Sequence, residues 1–333
     1  MKNKLSQRKQ TDSEHYLALC GGVGGAKLAL GLSNLLGDKL SIAVNTADDF
    51  EHFGLHISPD IDTVIYTLSG KNNKEQGWGV ENESWNFLDA MKDLGQESWF
   101  QIGDRDLATH ITRTQQLQSG KTLTETTRFL ARQLSIKSNI IPMSDDPVRT
   151  MIGIKDGQYM PFQHYFVRKK CQPKVDRFKF EGIETARLSP ALISTLNNPH
   201  LKGIIICPSN PFVSIDPILS LPGLKETIQN HSTPIIAVTP IIGGQAVKGP
   251  TTKMMLELGI SQHATSIAHY YSDLIDGFIL DERDANLKSD IQEPGLKVKL
   301  AQSLMKTLDD RINLASNCLD FTRQLQLDKE RQL

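Results

Sequence analysis

The stretch Leu17-Ala-Leu-Cys-Gly-Gly-Val-Gly-Gly-Ala-Lys27 constrains the fold of this chain more than any other. A short apolar run ends at Cys20, glycines follow, and then leucines recur at helical spacing. The order strand, glycine turn, helix presents backbone N–H groups to a phosphate, because glycine permits close approach and a helix N-terminus carries partial positive charge. The stretch therefore predicts an α/β core with a phosphate-binding turn. Its candidate binding residues are Gly21, Gly22, Gly24, Gly25 and Lys27.

The glycine turn does not match the standard nucleotide-binding motifs. A dinucleotide-binding G-x-G-x-x-G would need glycine in place of Lys27, and a P-loop would need glycine in place of Ala26 and a hydroxyl in place of Leu28. The turn is therefore a phosphate-binding turn of another type, or only a tight turn. An NAD-dependent oxidoreductase is disfavoured, because the third glycine is missing and no acidic residue ends the second strand in the usual way.

Composition limits the class of protein. The chain has 333 residues, a formal net charge of −1 and 39% hydrophobic residues, which suits one elaborated α/β domain over residues 15–333. This charge predicts no nucleic-acid partner and no membrane partner, and residues 1–14 are expected to be a flexible polar tail without a signal peptide. The cysteines are scattered and form no C-x-x-C pair, which favours a reduced, cytoplasmic protein.

The order of apolar runs predicts a Rossmann-like parallel sheet. A second apolar run, Leu40 to Val44, follows the first helix and completes a βαβ unit. Residues of about 62–137 read as a helical insertion. Asp156-Gly157 between two apolar runs is a hairpin signal, so a small β excursion is expected over about 138–187. Buried strands are then predicted at 203–207, 234–238 and 278–280.

Four aspartates follow the second strand, and they predict a magnesium site. Ligands of open parallel sheets bind beyond the carboxyl ends of the strands, so these carboxylates should lie near the glycine turn. Gathered carboxylates bind Mg²⁺, and one of them can act as general base toward an alcohol. Each could instead be a turn or cap residue. The candidate metal ligands are Asp48, Asp49, Asp60 and Asp62.

Two further features bear on the site. His52 and His56 have the i, i+4 spacing of a zinc pair on a helix, but the intervening Gly54 and the following Pro59 disfavour a helix there, so zinc is not predicted. Ser209 and Asn210, in the rigid turn 208–211 after a buried strand, could contact a base, sugar or phosphate, or cap a helix. Loops at 243–244 and 248–250 complete a predicted cleft.

Taken together, several motifs resemble the CofD family, the 2-phospho-L-lactate transferases of coenzyme F-420 biosynthesis. The resemblance runs from about residue 16 to 325. Besides the glycine turn, the motifs that carry it are Asn45-Thr-Ala-Asp-Asp49, Ser58-Pro-Asp-Ile-Asp-Thr63, Gly103-Asp-Arg-Asp-Leu-Ala-Thr-His110 and Pro208-Ser-Asn-Pro-Phe-Val-Ser-Ile215.

The resemblance implies a Rossmann-like homodimer that requires Mg²⁺. The acceptor would be the deazaflavin Fo, and the donor a guanosine diphosphate esterified to a three-carbon acid. The terminal ribityl hydroxyl of Fo would attack the phosphorus that carries the acid, and GMP would leave. Asp62 and Gln101 would lie against Fo, and the glycine turn with residues 208–211 would hold the guanosine diphosphate. Asp62 and Asp49 are the catalytic candidates; Asn45, Asp104 and Arg105 complete the predicted substrate-binding set.

The chain departs from the family pattern at two positions. Asp216 stands where the family usually has glycine, and Gln101 stands where some members carry arginine. The acid of the donor therefore stays open between lactate, enolpyruvate and glycerate. The alternative function is a non-catalytic nucleotide-sugar-binding regulator of a related family, and the Ser58 to Thr63 and Gly103 to Asp106 motifs favour the transferase.

Overall fold

The structure is a computed structural model that describes residues 14–155, 157–291 and 295–332. The predicted tail lies outside the described residues except for Glu14, and so does Asp156 of the hairpin signal. The strands are β1 His15–Cys20, β2 Leu40–Val44, β3 Phe50–His52, β4 Leu55–Ile57, β5 Asn139–Pro142, β6 Arg149–Ile154, β7 Tyr159–Pro161, β8 Val175–Glu181, β9 Leu201–Ile206, β10 Ile235–Val238, β11 Ile241–Ile242, β12 Gln245–Ala246, β13 Gly277–Asp281 and β14 Lys297–Ala301.

The α-helices lie mostly between these strands. They are α1 Gly22–Leu36, α2 Pro59–Leu68, α3 Asn86–Asp93, α4 Asp104–Gln118, α5 Leu123–Gln133, α6 Pro190–Leu196, α7 Asp216–Leu219, α8 Leu224–Gln229, α9 Thr251–Glu257, α10 Ala264–Tyr270 and α11 Leu308–Gln332. None of the helices that the structure describes is both long and apolar enough to cross a membrane.

A seven-stranded parallel sheet forms the centre of the molecule, in the order β14-β13-β10-β9-β1-β2-β5. Helices cover both faces, so its inner strands are mainly apolar. This arrangement confirms the predicted Rossmann-like α/β fold. The strand order reverses beside β1: β2 and β5 lie on one side of it, and β9, β10, β13 and β14 on the other. The chain leaves β1 toward β2 and leaves β9 toward β10, on opposite sides, so the switch point of the sheet lies between β1 and β9, where ligand crevices form at the carboxyl ends of the strands.

Helix α1 crosses α11 at unusually short range. A Cβ at Gly31 would lie 2.1 Å from the backbone oxygen of Arg311, so glycine is required where the two backbones meet. On another face, α1 packs against α2. The N-terminus of α1 is thereby fixed between the sheet and α2, close to the crevice.

The helical insertion predicted for residues 62–137 is the crossover from β2 to β5. It starts earlier than predicted, with the β3–β4 hairpin, and α2 begins at Pro59 after Ser58. Helix α5 begins with a capping box, in which the Thr122 hydroxyl and the Glu125 carboxylate each accept a backbone N–H of the other residue.

The β excursion starts later than predicted. Asn139–Pro142 pair in parallel with β2 and form the edge strand of the central sheet. The antiparallel sheet of the excursion consists of β7, β6 and β8 in that order. The misplaced boundary at residue 138 has a simple cause, because a four-residue apolar run carries no sign of which sheet it joins. Of the apolar run that follows Asp156-Gly157, Tyr159 to Val167, only Tyr159–Pro161 is a strand, and residues 164–168 form a helical turn.

Candidate active site

A cavity of about 690 Å³ opens at the carboxyl ends of the central strands. It is bounded by the glycine turn, the start of α2, the loop after β9 and residues 239–251. The cavity brings together ten residues that the sequence singled out: Gly21, Gly22, Gly24, Lys27, Asp48, Asp60, Asp62, Gln101, Ser209 and Asn210. Gly25, Asn45, Asp49, Asp104 and Arg105 do not line it.

The glycine turn is locked to the loop after β9. The backbone N–H of Gly21 donates to Oγ of Ser209 at 3.1 Å, and that hydroxyl donates to the carbonyl of Gly21 at 2.7 Å. A Cβ at Gly24 would stand 2.4 Å from the carbonyl oxygen of Pro208, and one at Gly25 would stand 2.4 Å from Oγ of Ser209. These glycines are therefore needed because two strand-end loops pass in direct contact at the switch point of the sheet.

Asp60 joins the aspartate segment to the glycine turn. Its Oδ1 accepts the backbone N–H of Gly22 at 2.8 Å, and its Oδ2 accepts Nδ2 of Asn45 at 3.0 Å. Nδ2 of Asn45 also lies 3.2 Å from the carbonyl of Val213, so the buried Asn45 ties three segments together. Burial raises the pKa of Asp60 to about 6, although the hydrogen bonds from Asn45 and Gly22 oppose that rise.

Asp48 and Asp49 occupy different positions. Asp48 lines the cavity, and within the described part of the chain its Oδ1 has no hydrogen-bond partner. Burial, together with the charge of Asp60, raises its pKa well above the ordinary value. Oδ2 of Asp49 instead accepts Oγ of Ser58 at 2.8 Å and lies 3.1 Å from Nε2 of His56. Asp49 therefore holds the β3–β4 hairpin against the start of α2.

Asp62 lines the cavity and is paired from behind by Arg113. Nη1 of Arg113 donates to Oδ2 of Asp62 at 3.2 Å, and Nη2 donates to Oδ1. The guanidinium is fully buried and does not line the cavity. Burial raises the pKa of Asp62, while the charge of Arg113 opposes that rise.

Two further residues of α4 reach the cavity, and they belong to the Gly103 to His110 motif but were not among the predicted site residues. Asp106 and His110 line the wall beside Asp62, and Arg113 follows on the same face of α4 at i, i+4, i+7 spacing. This spacing of polar residues on one face of a helix is the feature of the sequence that could have predicted them as site residues. Ligand atoms of Asp62, Asp106 and His110 lie within 4.8 Å of one another, and Asp62 also forms an ion pair with Arg113.

Asp104 and Arg105 of the same motif connect α4 to the preceding segment. Oδ2 of Asp104 accepts Oγ of Ser84 at 2.6 Å, and Oδ1 accepts the backbone N–H of Phe87 at 2.9 Å. These hydrogen bonds lower the pKa of Asp104 to about 2. Nη1 of Arg105 donates to the carbonyl of Glu81 at 3.1 Å. The motif therefore contributes to the cavity through Asp106 and His110.

Aromatic rings form another part of the cavity lining. This aromatic wall consists of Trp78, Trp99, Phe100, Phe162 and Phe166, and Gln101 lies beside it. The rings of Phe162 and Phe166 are stacked with centroids 5.4 Å apart. A wall of this kind suits a flat, conjugated ligand, because the faces of aromatic rings pack efficiently against one another.

The two histidines considered for zinc lie in a β-hairpin, on β3 and β4. The ring of His52 packs 5.3 Å from Trp99, and His56 faces Asp49. Residues at i and i+4 lie side by side on a helix but not in a β-hairpin. His52 and His56 therefore do not form the helical type of chelating pair.

Two lysines bring positive charge to the glycine-turn side of the cavity. Nζ of Lys27 donates to the carbonyl of Met305 at 3.2 Å, and Nζ of Lys248 donates to the carbonyl of Gln76 at 2.6 Å. Burial lowers the pKa of Lys27, and the charges of Arg311 and Lys248 lower it further. Asp216, which departs from the family pattern, does not line the cavity; its Oδ2 accepts the hydroxyl of Tyr270.

The fold and the cavity define a class of protein: a Rossmann-like α/β protein with a strand-end cavity lined by a glycine turn, carboxylates and aromatic rings. Residues 17–311 match the family model described as 2-phospho-L-lactate transferase CofD. The chain therefore belongs to the CofD family, as its motifs predicted, and is a transferase of coenzyme F-420 biosynthesis.

Curated relatives cover almost the whole chain. A protein of Methanosarcina mazei named 2-phospho-L-lactate transferase is 39% identical over 296 residues, 89% of this chain and 96% of the relative. A protein of Kitasatospora aureofaciens named phosphoenolpyruvate transferase is 35% identical over 317 residues, 93% of this chain and 98% of the relative.

A protein of Bacillus halodurans, described as a member of the UPF0052 family, has a solved structure with the same fold. The TM-score is 0.60 at 13% identity, with 92% of this chain and 98% of that chain covered. That likeness concerns the fold alone.

Proposed function

We propose that this transferase moves a phospho-three-carbon-acid group from a guanosine diphosphate ester to the terminal ribityl hydroxyl of the deazaflavin Fo. The group is 2-phospholactate, phosphoenolpyruvate or phosphoglycerate, and GMP is released. The observation that carries the proposal is that a glycine turn with nearby lysines, a pair of carboxylates and an aromatic wall line one cavity. The two kinds of relative differ in the acid that they are named for, which leaves the acid of the donor open.

The lining residues suggest that different parts of the cavity bind the diphosphate, the deazaflavin ring and the attacking hydroxyl. The backbone N–H groups at the start of α1, with Lys27 and Lys248, suit the diphosphate. The aromatic wall suits the deazaflavin ring. The ribityl oxygen forms a bond to the phosphorus that carries the acid, the bond from that phosphorus to the bridging oxygen breaks, and GMP departs with that oxygen. Asp62 would accept the hydrogen bond of the attacking hydroxyl and take its proton. Phosphoryl transfer depends mainly on such positioning and on charge neutralisation.

Asp48 and Asp60 fit a magnesium ion better than the other two aspartates do. Both carboxylates face the cavity, and Oδ1 of Asp48 lacks a hydrogen-bond partner among the described residues. Burial raises the pKa of both carboxyl groups, as expected for two buried acids whose charges a bound cation would compensate. Asp49 and Asp62 are engaged by His56 and Arg113. Bound Mg²⁺ would neutralise the charge that develops on the phosphate oxygens.

The test is direct transfer, followed by mass spectrometry of the product. The purified protein is incubated with Fo and each of the three synthetic donors, in Mg²⁺ and in excess EDTA. We expect one donor to give the Fo phosphodiester and GMP in Mg²⁺ only. Asp48→Asn should lose at least about a hundredfold in turnover, while Asp89→Asn, an exposed aspartate on α3, serves as matched control.

Other outcomes contradict particular parts of the proposal. Full activity in excess EDTA would contradict the metal. Binding of the ligands without turnover of any donor would contradict the transferase and favour the regulator.

We also propose that the protein is a homodimer and that it is located in the cytoplasm. The resemblance suggests a homodimer, and the free cysteines suit a reducing cytoplasm. Light scattering of the purified protein measures the first, and fractionation of the source cells measures the second.

A further inference from the structure

Arg113 is the least exposed cation of the site, and it has no direct access to a ligand. Its side chain is fully buried, and it lies behind Asp62 as seen from the cavity, since Asp62 lines the cavity and Arg113 does not. A buried arginine usually has several hydrogen-bond acceptors; here they contact both Nη atoms, whereas Nε has no partner among the described residues. Nη1 contacts Oδ2 of Asp62, the carbonyl of His56 at 3.3 Å and Nδ1 of His110 at 3.3 Å, while Nη2 contacts Oδ1 of Asp62.

The bidentate contact fixes the orientation of the Asp62 carboxylate. A fork of two N–H donors on two carboxylate oxygens sets the plane of the carboxylate, which a single lysine ammonium cannot do. Each oxygen keeps a second lone pair, so the carboxylate can still accept a hydrogen bond from a ligand in the cavity.

The arginine is itself held by a chain of buried groups. Nδ1 of His110 faces Arg113, and Nε2 lies 3.2 Å from Oδ2 of Asp106. Oδ1 of Asp106 accepts the hydroxyl of Tyr66 at 2.5 Å. Tyr66 is on α2, and the other members of the chain are on α4, so the network joins the helix that carries Asp62 to the helix that carries Arg113.

We infer that Arg113 is a positioning residue for the transfer reaction: it holds the Asp62 carboxylate in the orientation that receives the attacking hydroxyl, and His110 and Asp106 support it. The inference rests on the proposed function. It assigns to Arg113 an effect on turnover that is exerted entirely through Asp62, although Arg113 touches neither substrate.

The test is a double-mutant cycle with Arg113→Lys and Asp62→Asn. Arg113→Lys keeps the charge but loses the fork, and we expect turnover per Fo-binding site to fall about ten- to a hundredfold, with the KM for the donor and the Mg²⁺ requirement nearly unchanged. In the Asp62→Asn background, the same substitution should change turnover less than about twofold. Thr127→Ala, a buried change on α5 away from the cavity, controls for a general loss of stability.

The outcomes distinguish a failure of the positioning role of Arg113 from a failure of the proposed transferase function. Equal costs of Arg113→Lys in the two backgrounds, or a loss explained by fewer Fo-binding sites, would show a merely structural arginine and overturn the inference. Arg113→Lys with wild-type turnover would overturn it as well. A wild-type protein that turns over no donor would instead overturn the proposed function, and the inference would fall with it.

Discussion

At the scale of single residues, the site shows that neighbouring aspartates in a motif have unlike roles. Asp48 and Asp60 face the cavity, Asp49 binds a hairpin, and Asp62 is paired with an arginine fifty-one positions away. The sequence made all four carboxylates candidate metal ligands and did not separate metal ligand from general base. Their differences come from partners on other elements, because a carboxylate that is already paired contributes little charge to a ligand site.

Asp216 gives a prediction on pH. Burial raises its pKa to about 6, although the hydrogen bond from Tyr270 opposes the rise. A carboxyl whose pKa is higher in the folded state stabilises the fold at low pH, and that contribution is lost as pH rises from about 4 through about 6. We therefore expect Asp216→Asn to gain stability relative to wild type between pH 5 and pH 7.5, by on the order of 1 to 2 kcal/mol.

Thermal unfolding of both proteins across that pH range measures the effect. A difference in stability between Asp216→Asn and wild type that stays constant with pH would contradict it. Turnover should be little affected, because Asp216 does not line the cavity.

At the scale of elements, the position of the glycine turn depends on how α1 packs against α11. Gly31→Ala should destabilise the protein although alanine is the better helix former, because the added Cβ would meet the Arg311 backbone at 2.1 Å. Overpacking of this kind costs about 1–3 kcal/mol, measured by chemical denaturation. Asn34→Ala, at an exposed position of α1, is the control and should be close to neutral. Equal or greater stability of Gly31→Ala would show that the two helices separate at little cost.

At the scale of the whole molecule, all three tryptophans lie around one cavity. Trp78 and Trp99 line it, and Trp85 lines a small adjoining pocket with Trp78. Binding of Fo should therefore quench tryptophan emission, because a flat chromophore would pack against the wall. The quench should be smaller in Trp99→Leu. Unchanged wild-type emission at saturating Fo, with binding verified by equilibrium dialysis, would place the deazaflavin elsewhere.

The sequence by itself determined the family, the fold class and the ends of the strands that carry the site. Glycines within five residues of a buried strand, and aspartates after the next strand, are local patterns, and the topology rule for parallel sheets brings them together. Ten of the residues singled out from the sequence line the cavity, and that rule accounts for those in the glycine turn, the aspartate segment and the loop after β9.

Only the tertiary structure decided which polar groups face the ligand and which hold the scaffold. The pairing of Arg113 with Asp62 and the assembly of the aromatic wall join segments that are far apart in the chain, and the contact of Asp49 with Ser58 depends on how the β3–β4 hairpin between them folds. The pairing of the short strand β5 with β2 in the central sheet was likewise decided by the tertiary structure. Side-chain periodicity reports the face on which a residue lies, whereas the partner that it meets there depends on how the elements pack against one another.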